Sequence, residues 1–227
     1  MTNLLRLMPA CLFAGVILLL LTGCSDNDGA SGLLQSRVEA SFDVTAKVTY
    51  EMAFDLEGTG NPNPVSVAIT QGPWGRRSDG SLTTEARTFS STLLDLGDEK
   101  YICGRDLGED GGCLRAEDAY QDPDELFAYA FGFAFSFRET LTESDELEWK
   151  LTSARTIAGI DADCYEVTST DPEADTDEVE ICFSGDDILL SAEVRSSKAT
   201  ITVLALEVDH DVEEDDFALP YPIVERP

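Results

Sequence analysis

Six cysteines and a single histidine are the residues of this chain whose side chains most readily do chemistry. Cys11 and Cys24 belong to the N-terminal stretch, which leaves four cysteines for the rest of the chain. These four are Cys103, Cys113, Cys164 and Cys182. None of them has C-x-x-C spacing, and His210 alone cannot complete a zinc site with them. An even number of cysteines is typical of an exported domain and predicts two disulfides, for which three connectivities exist.

One disulfide follows from the geometry of a predicted hairpin. Two alternating segments, "DCYEVTST" and "DEVEICFS", flank a turn centred on Glu173. Cys164 and Cys182 are equally far from that centre, so they face each other across an antiparallel ladder, within disulfide reach. The same register sets Glu166 against Glu180, an unfavourable pair of like charges that the covalent bond would hold in place.

The other disulfide is predicted to be local. Cys103 and Cys113 flank "GRDLGEDGG", a glycine-rich loop that a disulfide between them would close. We therefore predict the pairs 103–113 and 164–182.

Catalysis has little support in the remaining residues. The chain contains no G-x-S-x-G nucleophile elbow, and paired cysteines supply no free thiol. His210 lies in "EVDHDVEEDD", where a solvated histidine is the ordinary expectation. The doublet Arg76-Arg77 either meets a phosphate or pairs with neighbouring carboxylates, and we favour pairing. We expect a protein that is not an enzyme and needs neither metal nor cofactor.

The N-terminus has the pattern of an export signal. Arg6 precedes an apolar run that ends in Leu21-Thr22-Gly23-Cys24 and is short for a transmembrane helix. This tetrad resembles the lipobox of bacterial lipoproteins, in which the cysteine is lipidated and becomes the mature N-terminus. The resemblance implies a signal peptide over 1–23, lipidation of Cys24, and an anchor in the cell membrane or outer membrane, on the extracytoplasmic side. The alternative is an uncleaved anchor helix.

Charge limits the kinds of partner. The chain has 45 acidic and 15 basic residues, for a formal net charge of −30. Its field would repel nucleic acids and anionic membrane surfaces, so neither is expected as a partner. We favour solubility in a salty medium over an acidic binding surface as the reason for this charge.

The elements that position these residues are predicted to be strands. After a flexible tether over 24–32, the residues from Phe42 to Glu57 alternate apolar and polar, which is the period of a half-buried strand. A short helix from Leu33 is the alternative for its first residues. In total, the sequence predicts roughly eight to ten strands at hairpin spacing. We predict one mainly β (α+β) domain over 33–227, built on a large curved antiparallel sheet.

The segment "LFAYAFGFAFSF" carries six aromatic residues at every second position, which is also strand spacing. However, Asp122, Pro123 and Glu125 before it form the signature of a helix start, and the alanines between the rings favour helix. We favour the helix. Rings would then surround it, so the sheet would have to enclose it.

These features together resemble the LolA/LolB-like and LppX/LprG-like envelope lipoproteins. The lipobox, the all-antiparallel domain, the central apolar helix and the closing "DFALPYPI" carry the resemblance. It implies a half-barrel with one or two helices on its concave face and a role in carrying lipid or acyl chains. Residues expected to line the cavity are Phe127, Phe131, Phe135, Tyr50, Met52 and Phe54. The alternative is a structural or protein-binding lipoprotein with a filled core.

Overall fold

The computed structural model describes residues 36–41, 43–56, 64–83, 88–105, 107, 110–119, 147–169, 176–196 and 199–224. Eleven strands occur in this part of the chain. They are β1 (Ala46–Leu56), β2 (Val65–Gly72), β3 (Gly75–Thr83), β4 (Thr88–Asp95), β5 (Lys100–Gly104), β6 (Gly112–Arg115), β7 (Leu147–Ile157), β8 (Ile160–Ser169), β9 (Thr176–Ser184), β10 (Leu189–Ser196) and β11 (Ala199–Asp209). Helix α1 spans 36–40, helix α2 spans Ala116–Ala119, and a 3-10 helix spans Glu214–Phe217.

All eleven strands belong to one antiparallel sheet, in the order β6-β5-β4-β3-β2-β1-β11-β10-β9-β8-β7. Two meanders, β1 to β6 and β7 to β11, meet where β1 pairs with β11. This architecture confirms the predicted fold class, a mainly β protein with one large antiparallel sheet. The strands exceed the predicted eight to ten.

The alternation predicted for the first strand is present, but the strand starts later than expected. Residues 36–40 are helical, and Asp43 N donates to Ala40 O at 2.9 Å, so the backbone becomes extended only at Ala46. A short helix is present, as the alternative supposed, but it ends at residue 40, and residues 43–45 are neither helix nor strand. Phe42 itself lies outside the described residues.

Cross-strand register divides the sheet into two faces, which we call the Val48 face and the Leu94 face. The Val48 face starts at Val48 in β1. The residues directly opposite in the successive neighbouring strands β2 to β5 lie on the same face, and they are Ile69, Ser78, Leu93 and Ile102. The Leu94 face carries the residues between them.

Most of the buried core changes face along the sheet, although Ala162, Cys164 and Cys182 are also buried on the Leu94 face of β8 and β9. In β1 and β8 to β11, buried apolar residues of the Val48 face include Val48, Tyr50, Tyr165, Ala192 and Val203. In β4 to β6, the buried cluster lies on the Leu94 face and consists of Leu94, Tyr101, Cys103 and Cys113. Leu219 and Tyr221 of the C-terminal segment pack against this second cluster.

Both disulfides have the predicted pairing. Cys103 and Cys113 join β5 to β6, with an S–S distance of 2.05 Å, and Cys164 and Cys182 join β8 to β9, with 2.07 Å. Glu166 stands opposite Glu180, as the hairpin register predicts. A contact not foreseen relieves their repulsion: Arg155 Nη2 lies 2.6 Å from Glu180 Oε2.

The two edges of the sheet differ. Beside β6, Cys113 N donates to Pro222 O and Val224 N donates to Cys113 O, each at 2.9 Å, so the C-terminal segment covers this edge. Gly111, at φ +92°, makes this approach possible, because a Cβ there would lie 2.7 Å from the Tyr221 ring. The opposite edge is β7. No helix in the described ranges is long and apolar enough to cross a membrane.

Candidate functional site

A continuous row of apolar side chains crosses six strands on the Val48 face. Each member stands directly opposite the next in the ladders of β7, β8, β9, β10, β11 and β1. We call this row the apolar ladder; its members are Trp149, Val167, Val179, Val194, Ile201 and Phe54. Five strand spacings of about 4.8 Å give it a length of about 24 Å.

The apolar ladder is less buried than the row beside it. Of its six members, only Val167 is buried, at 3% exposure, and the other five are half-buried. In the adjacent row, Tyr165, Ile181, Ala192 and Val203 are all buried. The Val48 face therefore has a row of buried core residues next to an apolar row that is partly exposed to solvent.

The structure places three of the six predicted lining residues on this face. Phe54 belongs to the apolar ladder, and Met52 is half-buried in the adjacent row, opposite Val203. Tyr50 is buried deeper, and its hydroxyl donates to Leu189 O at 2.9 Å. Burial raises the pKa of Tyr50 well above its usual value. Tyr50 is thus a core residue with a satisfied hydroxyl.

The other predicted site residues lie outside the described part of the chain. These are Phe127, Phe131 and Phe135 of the aromatic segment, together with the predicted lipidation site Cys24. Helix or strand for the aromatic segment therefore stays a prediction, as does its position over the sheet.

Arg37 is a residue that the sequence analysis did not single out. Its guanidinium donates to Asp187 Oδ1 at 2.7 Å, to Tyr165 Oη at 2.9 Å and to Ser184 O at 2.6 Å. Together with buried Val38, it fixes α1 onto the Val48 face of β8 and β9. Hydrogen bonds to carboxylates keep its pKa above the ordinary value although burial opposes them. In the sequence, the only indication of this role is that Arg37 is a lone arginine among the mainly apolar and small residues after the tether.

An open cleft of about 760 Å³ lies at the other end of the Val48 face. Its walls include Gln71, Trp74, Arg76, Asp95 and Lys100, and none of the six predicted lining residues. Trp74 is 41% exposed there. The distance from this end of β1 to Phe54 is about 26 Å, eight residues at about 3.3 Å each. Buried side chains of β1 fill the interval, so the cleft and the apolar ladder are separate places.

The remaining candidates for chemistry take structural roles. Arg77 Nε lies 2.6 Å from Asp79 Oδ2, and its Nη1 donates to Asp216 O, so the favoured carboxylate pairing holds for this residue. His210 Nδ1 lies 3.8 Å from Asp186 Oδ2 at an exposed site after β11. Within the described ranges, no three His, Cys, Asp or Glu residues are grouped to hold a metal ion.

Comparison with known proteins gives distant structural likeness only. No family model matches the chain, and no curated protein matches it in sequence. The Pseudomonas aeruginosa MucA/MucB complex matches with 14% identity and a TM-score of 0.48, over 84% of this chain and 60% of that one. The chain thus spans about three fifths of the length of that protein.

Two further matching structures carry names from the families that the sequence was expected to resemble. Mycobacterium tuberculosis lipoprotein LppX matches with 14% identity and a TM-score of 0.46, over 81% of this chain and 99% of that one. A LolA superfamily protein from Nitrosomonas europaea matches with 11% identity and a TM-score of 0.35, over 82% and 97%. Likeness at this level assigns neither a family nor a function.

Proposed function

We propose that this chain is a lipid-anchored envelope protein that binds an apolar ligand, an acyl chain or lipid, along the apolar ladder. The observation that carries the proposal is the ladder itself. Its six apolar side chains adjoin without a polar residue between them, and five are half-buried beside a completed core.

Size and energetics fit an acyl chain. A ladder of about 24 Å exceeds the depth of one bilayer leaflet, about 15 Å, or half of a hydrocarbon core of about 30 Å. Each methylene that leaves water contributes about 0.8 kcal/mol. The binding free energy would therefore grow with the length of chain laid along the row. In this proposal, aromatic residues 127, 131 and 135 cover the ligand from the side away from the sheet.

The cysteines indicate the cellular compartment in which the protein works. Two disulfides form and persist in an oxidising environment, outside the cytoplasm. Lipidation of Cys24 would hold the domain at the cell membrane or outer membrane by its N-terminus.

The test is recovery of lipid from purified protein. Residues 25–227, exported behind a cleavable secretory signal, carry no covalent lipid, so solvent extraction and mass spectrometry report bound lipid alone. We expect a lipid in near-stoichiometric amount. Recovery of no lipid from this protein would favour the alternative, a structural or protein-binding lipoprotein with a filled core.

A matched pair of variants locates the ligand. Val194→Thr with Ile201→Thr places hydroxyls in the apolar ladder, and each hydroxyl buried without a partner costs about 1–3 kcal/mol. The recovered lipid should fall about tenfold or more. Leu204→Thr makes the same kind of change on the Leu94 face of β11, where Leu204 is 37% exposed, and should leave lipid recovery unchanged. Equal loss in both would remove the ladder from the proposal.

A further inference from the structure

The two edges of the sheet are treated differently by the chain. Backbone hydrogen bonds from the C-terminal segment cover β6, as described above. Among the described strands, β7 pairs only with β8. An edge strand presents a row of unpaired N–H and C=O groups, to which another extended segment can pair. β7 is therefore a candidate for strand addition.

Exposure marks the same strand. Residues 150–156 of β7 are all exposed, and Leu151 is 60% exposed, a large apolar side chain left in contact with water. Leu151 and Trp149 lie on the Val48 face of β7, since they stand opposite Tyr165 and Val167. A segment added to β7 would cover these two side chains.

Charge separates β7 from the rest of this acidic chain. Strand β7 contains two cations, Lys150 and Arg155, and one carboxylate, Glu148, whereas the whole chain has a net charge of −30. Lys150 and Arg155 lie on the Leu94 face of β7, opposite Glu166 and Ala162. Arg155 gives one contact to Glu180, and its side chain is still 50% exposed. Along residues 150–155 an incoming strand would meet two cations on this face and apolar surface on the other, and Glu148 lies on the cationic face nearer the start of β7.

These features also disfavour a second copy as the occupant. In antiparallel pairing of β7 with itself about its centre, Lys150 of one copy would approach Arg155 of the other, and like charges would repel. The register shift between Leu151 and Ala154 interrupts the edge as well. Bulges of this kind limit indiscriminate edge pairing. The arrangement selects for a short strand of complementary charge.

We propose that the outer edge of β7 binds an extended segment of a partner protein in which acidic and apolar residues alternate. Its carboxylates would face Lys150 and Arg155, and its apolar residues would cover Trp149 and Leu151. Backbone hydrogen bonds to the β7 edge supply affinity, and the alternating side chains supply selectivity. This site adjoins the apolar ladder at Trp149, but Lys150, Leu151 and Arg155 lie outside the ladder, and peptide binding does not require bound lipid.

The test uses the full chain and synthetic peptides at physiological ionic strength. A short fluorescent peptide in which aspartate and valine alternate should bind saturably, measured by anisotropy. A peptide that alternates lysine and valine should bind about tenfold more weakly or worse. Lys150→Glu with Arg155→Glu should reverse this order. Arg115→Glu, on the covered edge strand β6, is the matched control and should change neither affinity.

Backbone pairing has its own control. Two further aspartate–valine peptides carry N-methyl groups on every aspartate or on every valine. Alternate residues of a strand point their N–H groups to the same edge, so only one of the two peptides loses its hydrogen bonds to β7. We expect one to bind about tenfold more weakly than the other. Equal affinities, no binding of the acidic peptide, or dimerisation of the chain through β7 in sedimentation experiments would each overturn the proposal.

Discussion

The two halves of the sheet are covered on opposite faces, and register shifts interrupt the ladders of β1, β10 and β7. In the half from β7 to β1, α1 packs on the Val48 face through Arg37 and Val38. In the half from β4 to β6, the C-terminal segment packs on the Leu94 face. Small polar residues mark the change: Thr70 is buried on the Leu94 face and Ser78 on the Val48 face. Helix α1 thus covers one face of the sheet at β8 and β9, and the C-terminal segment covers the other face at β4 to β6.

The largest expected loss of stability comes from truncating one buried side chain in each half. Phe183→Ala should lower the free energy of unfolding by about 3–5 kcal/mol and Leu94→Ala by about 2–5 kcal/mol, because both side chains are almost fully buried. Urea unfolding followed by circular dichroism measures both. Since β2 and β3 join the halves into one sheet, each variant should shift one common transition. Two separate transitions would show that the halves unfold independently.

Removing one disulfide at a time compares the stability of the two halves, with smaller expected losses. Loops of 18 and 10 residues are closed by Cys164–Cys182 and Cys103–Cys113. Chain entropy predicts losses of about 3.2 and about 2.7 kcal/mol for the paired alanine substitutions. Thermal unfolding of the two double variants compares them. A much larger loss at 103–113 would mean that the C-terminal segment detaches together with β6.

The smallest effect concerns the ion pair that ties the C-terminal segment to β1. Lys47 Nζ lies 2.7 Å from Asp216 Oδ1, and the hydrogen bond from Lys47 lowers the pKa of Asp216. A lowered carboxyl pKa stabilises the folded state above the unfolded pKa, about 3.9, and this contribution is lost as the pH falls through the lower folded value.

Lys47→Met should therefore cost less than about 1 kcal/mol at neutral pH, since the pair is partly exposed. The difference between variant and parent should vanish at acid pH below the folded pKa of Asp216. Urea unfolding at several pH values checks this. An effect that persists unchanged in acid would point to lost packing of the lysine stem instead.

Much of the fold was accessible from the sequence because the strand period and the hairpin register are local. Alternation identifies β1 from Ala46 onward, and equal distance from Glu173 predicts the pairing of Cys164 with Cys182. The face on which each half buries its core was not accessible. That choice depends on which distant segment covers the sheet, as with Tyr221 over Leu94, and no local pattern records it.

The candidate site was accessible only in part, for the same reason. Alternation identified the apolar face of β1 and hence Met52 and Phe54. It could not show that Phe54 continues through Ile201 and Val194, since that row exists only once five ladders have aligned. Tyr50 was predicted to line a cavity, and its hydroxyl bond to Leu189 O makes it part of the core. Arg37 depends on contacts with β8 and β9 that lie far away in the chain.

Pairing of β1 with β11 sets the order in which the molecule can assemble. Lys47 meets Asp209, so the seam between the meanders joins the beginning of the sheet to its end. As the chain is synthesised, β1 can pair with β2 early. Its other edge can pair with β11 only after nearly the whole polypeptide has been made. Contacts between residues so distant in sequence slow folding, and until β11 is made they leave the second edge of β1 unpaired and open to aggregation. A newly made chain would gain most from a chaperone during that interval.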